Sequence, residues 1–251
     1  MLNDDQLLRY SRQIMLPEVD IAGQEAWLKA SVLIIGVGGL GSPVAMYLAA
    51  AGVGRLVLVD DDQVELTNLQ RQIVHRTETI GMAKVDSAKA TLAALNPDTD
   101  VVAINARLDA AALEKQVSES DLVVDCCDNF TTRFAVNAAC VKHKTPLVSG
   151  AAIRLEGQVA VFDPRSEDAP CYRCLYRDGD EENLTCSESG VLAPLVGIIG
   201  SVQAMEALKV LAGLGEPLVG RLLLLDGRHM DWRTLTLRRD PECPCCGDKN
   251  N

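Results

Sequence analysis

The stretch Val32-Leu33-Ile34-Ile35-Gly36-Val37-Gly38-Gly39-Leu40-Gly41-Ser42, with Leu56-Val57-Leu58-Val59-Asp60 behind it, decides the fold. Val32 to Ile35 are consecutive apolar residues, the pattern of a strand covered on both faces. Gly36, Gly38, Gly39 and Gly41 make a loop almost free of side chains, and a small-residue helix is expected from about Ser42 to Ala51. Leu56 to Val59 read as a second strand that ends at Asp60. Gly36-x-Gly38-x-x-Gly41 with an acid about 20 residues on fits a dinucleotide fingerprint. Glycine lets backbone approach phosphate, a helix N-terminus attracts anions, and a carboxylate holds ribose hydroxyls. The stretch predicts a nucleotide site and leaves the nucleotide open, with NAD as the default.

Working outward, the rest of the chain supports one large unit. The chain has 251 residues, 48% of them hydrophobic, enough for one sizeable α/β core. A net charge of −11 argues against nucleic-acid phosphate or an anionic membrane as the main partner. The acidic start Met1-Leu2-Asn3-Asp4-Asp5-Gln6 lacks a secretory pattern. Nine cysteines in that context point to a reducing, cytoplasmic setting, with metal or catalytic roles preferred to disulfides. The longest apolar stretch, Val191 to Met205, stops at Glu206 and falls short of the ~18 residues of a membrane span, so it reads as a buried core helix.

Residues 1–30 read as a polar helical arm, 31–150 as the nucleotide-binding half and 151–251 as a second half of the same continuous domain. Further helices are expected at about Met82–Leu95, Ala110–Val117 and from a Thr131 or Thr132 cap to about His143. Strands are expected at Val101–Ile104, Leu122–Val124 and Pro146–Ser149. The alternation predicts a doubly wound, mostly parallel α/β sheet. Gln158–Phe162, Arg221–Leu225 and Thr234–Arg238 then continue it as antiparallel strands, and Asp163–Ser189 reads as a long charged loop.

Three constellations carry chemistry. Cys171-x-x-Cys174 and Cys243-x-x-Cys246 suit a tetrahedral zinc knuckle that clips the C-terminal tail onto the 163–189 loop; a redox CxxC or unrelated thiols are the alternatives, and Cys245 is a competing ligand. Arg12, Arg71 and Lys84 flank the glycine loop in sequence, as a reaction that breaks a triphosphate requires, although surface charge is the simpler account of any one of them. Asp128 ends a strand where ligands bind in doubly wound folds, so it is either a Mg²⁺ ligand or a helix cap, and Asn129 suits either task. Cys186, in a polar loop, is a candidate nucleophile or an inert thiol. His75, His143 and His229 show no metal or triad spacing.

In order along the chain stand Arg9-Tyr10-Ser11-Arg12-Gln13, the glycine loop, Asp60, Thr67-Asn68-Leu69-Gln70-Arg71-Gln72, Lys84, Asp125-Cys126-Cys127-Asp128-Asn129 with Arg133, Ser149-Gly150-Ala151 and the two CxxC pairs. Over essentially its whole length the chain resembles the MoeB/ThiF family, bacterial relatives of ubiquitin-activating enzymes. The resemblance implies a Rossmann-like fold with a structural zinc, and a reaction. MgATP and the C-terminal Gly-Gly carboxylate of a small β-grasp sulfur-carrier protein give an acyl-adenylate and pyrophosphate, the adenylate then serving thiocarboxylate formation.

By the same resemblance, Gly39 lies against the phosphates, Asp60 holds the ribose, and Thr67, Asn68, Leu69, Gln70, Arg71 and Asn129 line the nucleotide. Asn68, Arg71 and Lys84 grip phosphate oxygens, Asp128 binds Mg²⁺, and Arg12 reaches the neighbouring subunit of a homodimer. Cys186 matches the position used for covalent carrier linkage in other members and is expected to be dispensable for adenylylation. The stretches Ser149–Gln158 and Gly190–Gly197 look more like the molybdopterin branch than the thiamine branch. No rhodanese segment follows the tail, so sulfur is expected from a separate cysteine desulfurase or rhodanese. The rivals are an NAD-dependent oxidoreductase with structural zinc, which leaves Arg12, Arg71, Lys84 and Asp128 unused, and a nucleotide-sensing module.

Overall fold

The computed structural model describes residues 2–177 and 189–248. Three short helices, α1 (Asp4–Arg9), α2 (Ser11–Ile14) and α3 (Asp20–Lys29), precede β1 (Ser31–Ile35), α4 (Gly41–Ala51) and β2 (Arg55–Val59). Then come α5 (Lys84–Leu95), β3 (Asp100–Ile104), α6 (Ala110–Ser118), β4 (Leu122–Asp125), α7 (Phe130–His143), β5 (Leu147–Ile153) and β6 (Glu156–Phe162). The chain closes with α8 (Tyr172–Leu175), α9 (Ala193–Ala212), β7 (Arg221–Asp226) and β8 (Asp231–Thr236).

The strands form one eight-stranded sheet in the order β3-β2-β1-β4-β5-β6-β7-β8. The first five are parallel, and β6 to β8 continue antiparallel. Alternation within the apolar runs feeds both faces. Val32, Ile34, Leu56, Leu58, Leu122 and Val124 join a core with residues of α4, α5 and α9. Leu33, Ile35, Val57, Val59 and Val123 join a second with residues of α6 and α7. Each fully buried Val, Leu or Ile stabilises this sandwich by about 1.5–3 kcal/mol relative to exposure.

Several sequence expectations need correction. Of the caps the sequence offered for α7, Asn129 takes the place rather than Thr131, Thr132 or Asp128, its Oδ1 accepting from the Thr132 N–H at 2.9 Å. The 163–189 segment contains α8. The strand expected at Thr234–Arg238 lies earlier, at Asp231–Thr236, as an exposed edge. The apolar stretch ends at Glu206, but the helix that carries it is longer: buried Glu206 accepts from Lys209 Nζ at 2.6 Å and from the Leu218 N–H at 2.7 Å, and α9 runs on to Ala212. At 20 residues α9 is long and apolar enough to cross a membrane by length and composition. Its packed side, Leu195, Val196, Ile199 and Ala204, lies in the core, as the sequence reading expected of this stretch.

Candidate active site at the carboxyl ends of the parallel strands

The sheet order places β1 between β2 and β4, so the chain runs outward from β1 on one side and returns on the other. Ligands bind at such a switch point, beyond the carboxyl ends of the strands. Ile35 is in register with Val59 on one side and Asp125 on the other, which brings Gly36, Asp60 and Cys126 to one edge. Gly36 is there by necessity: its φ is +89°, and a Cβ would lie 2.9 Å from the Cys126 carbonyl oxygen. A Cβ on Gly41 would lie only 2.0 Å from the Gly36 oxygen, so helix α4 starts hard against the loop.

Among the described residues, no acceptor takes the N–H of Gly38, Gly39, Leu40 or Gly41. Four free donors in sequence at the positive end of an 11-residue helix form an anion cradle. Ser42 fixes its far side, its Oγ donating to the Gly38 carbonyl at 2.7 Å. Asp60 closes the near side, its Oδ2 accepting from the Val37 N–H at 2.7 Å and its Oδ1 from the Asp62 N–H at 2.9 Å. Burial raises the Asp60 pKa, with Lys84 and the two N–H bonds pulling against it.

His75 has a place the sequence reading missed. It is buried, with Nε2 3.0 Å from the Val37 carbonyl oxygen and Nδ1 3.0 Å from Ser87 Oγ. Its neighbour Gln72 is also buried, with its amide nitrogen facing Gly38 and its Oε1 without a partner. Nothing in residue spacing signals these contacts; the one sequence cue is their place in the polar loop that follows Asp60.

Lys84 is the first residue of α5, 5% exposed, and its Nζ donates to Asp62 Oδ2 at 2.7 Å. A cation at a helix N-terminus opposes the dipole, so lysine and helix end together make a strongly anion-seeking spot. Arg71 is half-buried and donates to the Thr67 carbonyl at 3.1 Å. Asn68 Oδ1 accepts from the Glu65 N–H at 3.1 Å, and its carbonyl takes the N–H groups of Arg71 and Gln72. Thr67 and Gln70 are exposed, and Leu69 is half-buried on the same turn. Gly39 rests on Val196 of α9, 3.2 Å from where a Cβ would stand.

Asp128 is exposed, and Asn129 is the helix cap, which leaves the Asp128 carboxylate free of that task. Arg133 braces the strand end from below: its guanidinium donates to the Cys127 and Gly150 carbonyls and to Tyr172 Oη, with Nε 3.7 Å from Asp125 Oδ2. Burial works against its charge, and Asp125 together with Tyr172 and Cys127 more than offsets that, so its pKa is raised.

Arg12 is not brought to this edge. It is exposed on α2, and Gln13 beside it donates to the Ala51 carbonyl at the opposite end of α4. The length of α4, about 16 Å, separates Arg12's helix from its own glycine loop. Cys186 lies outside the described residues.

The four paired cysteines converge. The Sγ atoms of Cys171, Cys174, Cys243 and Cys246 lie within 4.8 Å of one another, with 3.6 Å between Cys171 and Cys243 and 3.5 Å between Cys174 and Cys246. Tetrahedral zinc with ~2.3 Å Zn–S bonds needs sulfurs about 3.8 Å apart. Backbone N–H groups of Cys171 and Asp240 point at Cys174 Sγ, as thiolates require. The donor set therefore fits zinc. Cys245 stands outside the four, with Asn137 Nδ2 3.3 Å from its sulfur. Cys126, Cys127 and Cys140 are buried and burial raises their thiol pKa values, so they are packing groups.

A free-amide cradle, a half-buried carboxylate, a buried lysine and a distant four-cysteine cluster mark a doubly wound α/β protein with an anion-seeking edge and a cysteine set that could hold a metal. The model for the ThiF family matches residues 10–245, and the chain belongs to that family. It is 50% identical over 246 residues to the molybdopterin-synthase adenylyltransferase of Escherichia coli K12, covering 98% of both chains. It is 48% identical over 249 residues to the sulfur carrier protein ThiS adenylyltransferase of the same organism, covering 99% of this chain and 98% of that one. The crystal structure of E. coli MccB with ATP superposes with a TM-score of 0.84 at 26% identity, over 96% of this chain and 75% of the other.

Proposed function

We propose that this chain adenylylates the C-terminal Gly-Gly carboxylate of a small ubiquitin-like sulfur carrier, the small subunit of molybdopterin synthase, with ATP. The observation that carries this reading is buried Lys84 at the head of α5, beside the free-amide cradle. A dehydrogenase has no need of that concentration of positive potential, whereas a triphosphate being cut does. The names of the full-length relatives point the same way. The thiamine-pathway carrier is the second reading, because the identity to its enzyme is only two points lower (50% against 48%). The Ser149–Gln158 and Gly190–Gly197 stretches favour the molybdopterin carrier.

The reaction then runs on this chain's own groups. Asp60 holds the ribose. The N–H groups of Gly38 to Gly41, with Asn68, Arg71 and Lys84, hold the phosphates, while Thr67, Leu69, Gln70 and Asn129 line the nucleotide. The carrier's terminal carboxylate, ionised at neutral pH, attacks the α-phosphorus without a general base. The bond to the bridging oxygen breaks, and its electrons leave on pyrophosphate, where the cations meet the new charge. Asp128 would hold Mg²⁺, which neutralises phosphate charge when bound. The four cysteines would hold a structural zinc. Arg12 would act in the second subunit of a homodimer, which its distance from its own site supports. Residues 1–30 are then the exchanged arm, 31–150 the nucleotide half and 151–251 the carrier half. Sulfur would come from a separate cysteine desulfurase or rhodanese in the cytoplasm, with neither nucleic acid nor membrane as a partner.

ATP–pyrophosphate exchange tests this. Exchange should depend on the carrier and vanish when its terminal carboxylate is a carboxamide. Exchange that persists with the carboxamide carrier would refute the proposal.

A further inference from the structure

Val37, between the first two glycines of the loop, is held at both ends of its backbone. Asp60 Oδ2 takes its N–H at 2.7 Å, and His75 Nε2 lies 3.0 Å from its carbonyl oxygen. A carbonyl only accepts, so Nε2 carries the proton there. In a planar trans peptide, C=O and the next N–H point in opposite directions. The Val37 carbonyl turned inward to His75 therefore turns the Gly38 N–H outward, the first of the four donors that no described residue satisfies.

The other nitrogen of the same imidazole, Nδ1, is 3.0 Å from Ser87 Oγ, one turn into the helix that begins at Lys84. Ser87 in turn bonds Thr79 Oγ1 at 2.8 Å. The ring itself belongs to the polar loop that carries Asn68 and Arg71. One buried side chain thus ties together the three segments proposed to hold phosphate.

We propose that His75 is a positioning residue for the nucleotide: it sets the Gly38 N–H toward the phosphates and fixes the glycine loop against the first turn of α5, where Lys84 stands. The inference rests on reading this site as an ATP site. Asp60 restrains the same residue from the other side, and the imidazole adds the link to α5 that Asp60 does not make.

The test compares the wild-type chain with His75→Leu, His75→Gln and Ser87→Ala, using MgATP affinity by calorimetry, the separate KM values for ATP and carrier, and thermal melts. His75→Leu removes the buried donor and should raise Kd and KM for ATP about tenfold, with the carrier KM unchanged. His75→Gln keeps an N–H for the Val37 carbonyl and should return ATP affinity to within about threefold of wild type. A His75→Leu protein that melts as a folded chain and binds MgATP within about twofold of wild type overturns the inference, as does a glutamine variant no better than leucine. If the leucine variant does not fold, Ser87→Ala decides: Kd about threefold higher is expected, and an unchanged Kd overturns it. A wild-type chain that fails to bind MgATP sinks the ATP reading itself, whereas normal wild-type binding with insensitive variants sinks only the role of His75.

Discussion

Lys84 and Asp62 form a lopsided ion pair at the mouth of the site: Nζ and Oδ2 are 2.7 Å apart, with the lysine side chain 7% exposed and the aspartate 66%. The lysine is fixed by burial and the aspartate is free to swing into water. Asp62 therefore occupies the lysine's charge here, and in the proposed ATP complex a phosphate would have to displace it. Lys84→Met should lower carrier-dependent pyrophosphate exchange about a hundredfold or more. Asp62→Asn should tighten MgATP binding and cost less than about 1 kcal/mol of stability, because the pair is half in solvent. Weaker MgATP binding in Asp62→Asn would show that Asp62 helps the ligand rather than competing with it.

The four-cysteine cluster predicts one zinc per chain by elemental analysis. Cys243→Ser should release the metal and the tail, lowering Tm by about 5 °C or more. Cys245→Ser should retain the metal, since its sulfur stands outside the four. A zinc-free wild-type chain, or metal loss in Cys245→Ser, contradicts the assignment.

His75 gives a pH signature. Burial, aided by Lys84, lowers its pKa below the 6.5 of a free imidazole, against the Val37 bond that raises it. Between the folded pKa and 6.5 the unfolded chain binds more protons, so stability rises with pH through that window. Equivalently, it is lost as pH falls below about 6.5. Denaturant midpoints from pH 8 to 5 should drop more for wild type than for His75→Gln; equal slopes would place the titration elsewhere.

Arg12 and Asp128 should complement across subunits. Homodimers of Arg12→Ala and of Asp128→Ala are each expected to be nearly inactive, while mixed heterodimers regain one intact site. Heterodimer activity no higher than either parent would mean that Arg12 does not act in the partner's site.

Local signals made much of this legible in the sequence. Continuous apolar runs and the glycine spacing marked β1, α4 and β2, because those signals are local and periodic. The CxxC pairs marked a cluster that the fold then closes over a separation of 72 residues. What stayed hidden depends on contacts far apart in the chain. His75 looked ordinary because its partner, the Val37 carbonyl, is 38 residues away and carries no side-chain signature. The apolar stretch ending at Glu206 read as shorter than the helix that carries it because nothing local shows that Leu218 returns to satisfy that carboxylate. Asn129 and Thr131 are both good caps by type, and only the backbone path chooses between them.

The central claim is tested most directly by incubating the chain with MgATP and purified carriers ending in Gly-Gly, the molybdopterin and thiamine carriers side by side, and weighing each intact carrier. The account predicts a carrier heavier by one adenylyl group, with the molybdopterin carrier modified preferentially and the adduct lost when its C-terminal glycine is removed. Unmodified carriers, in a preparation that binds MgATP, would contradict it.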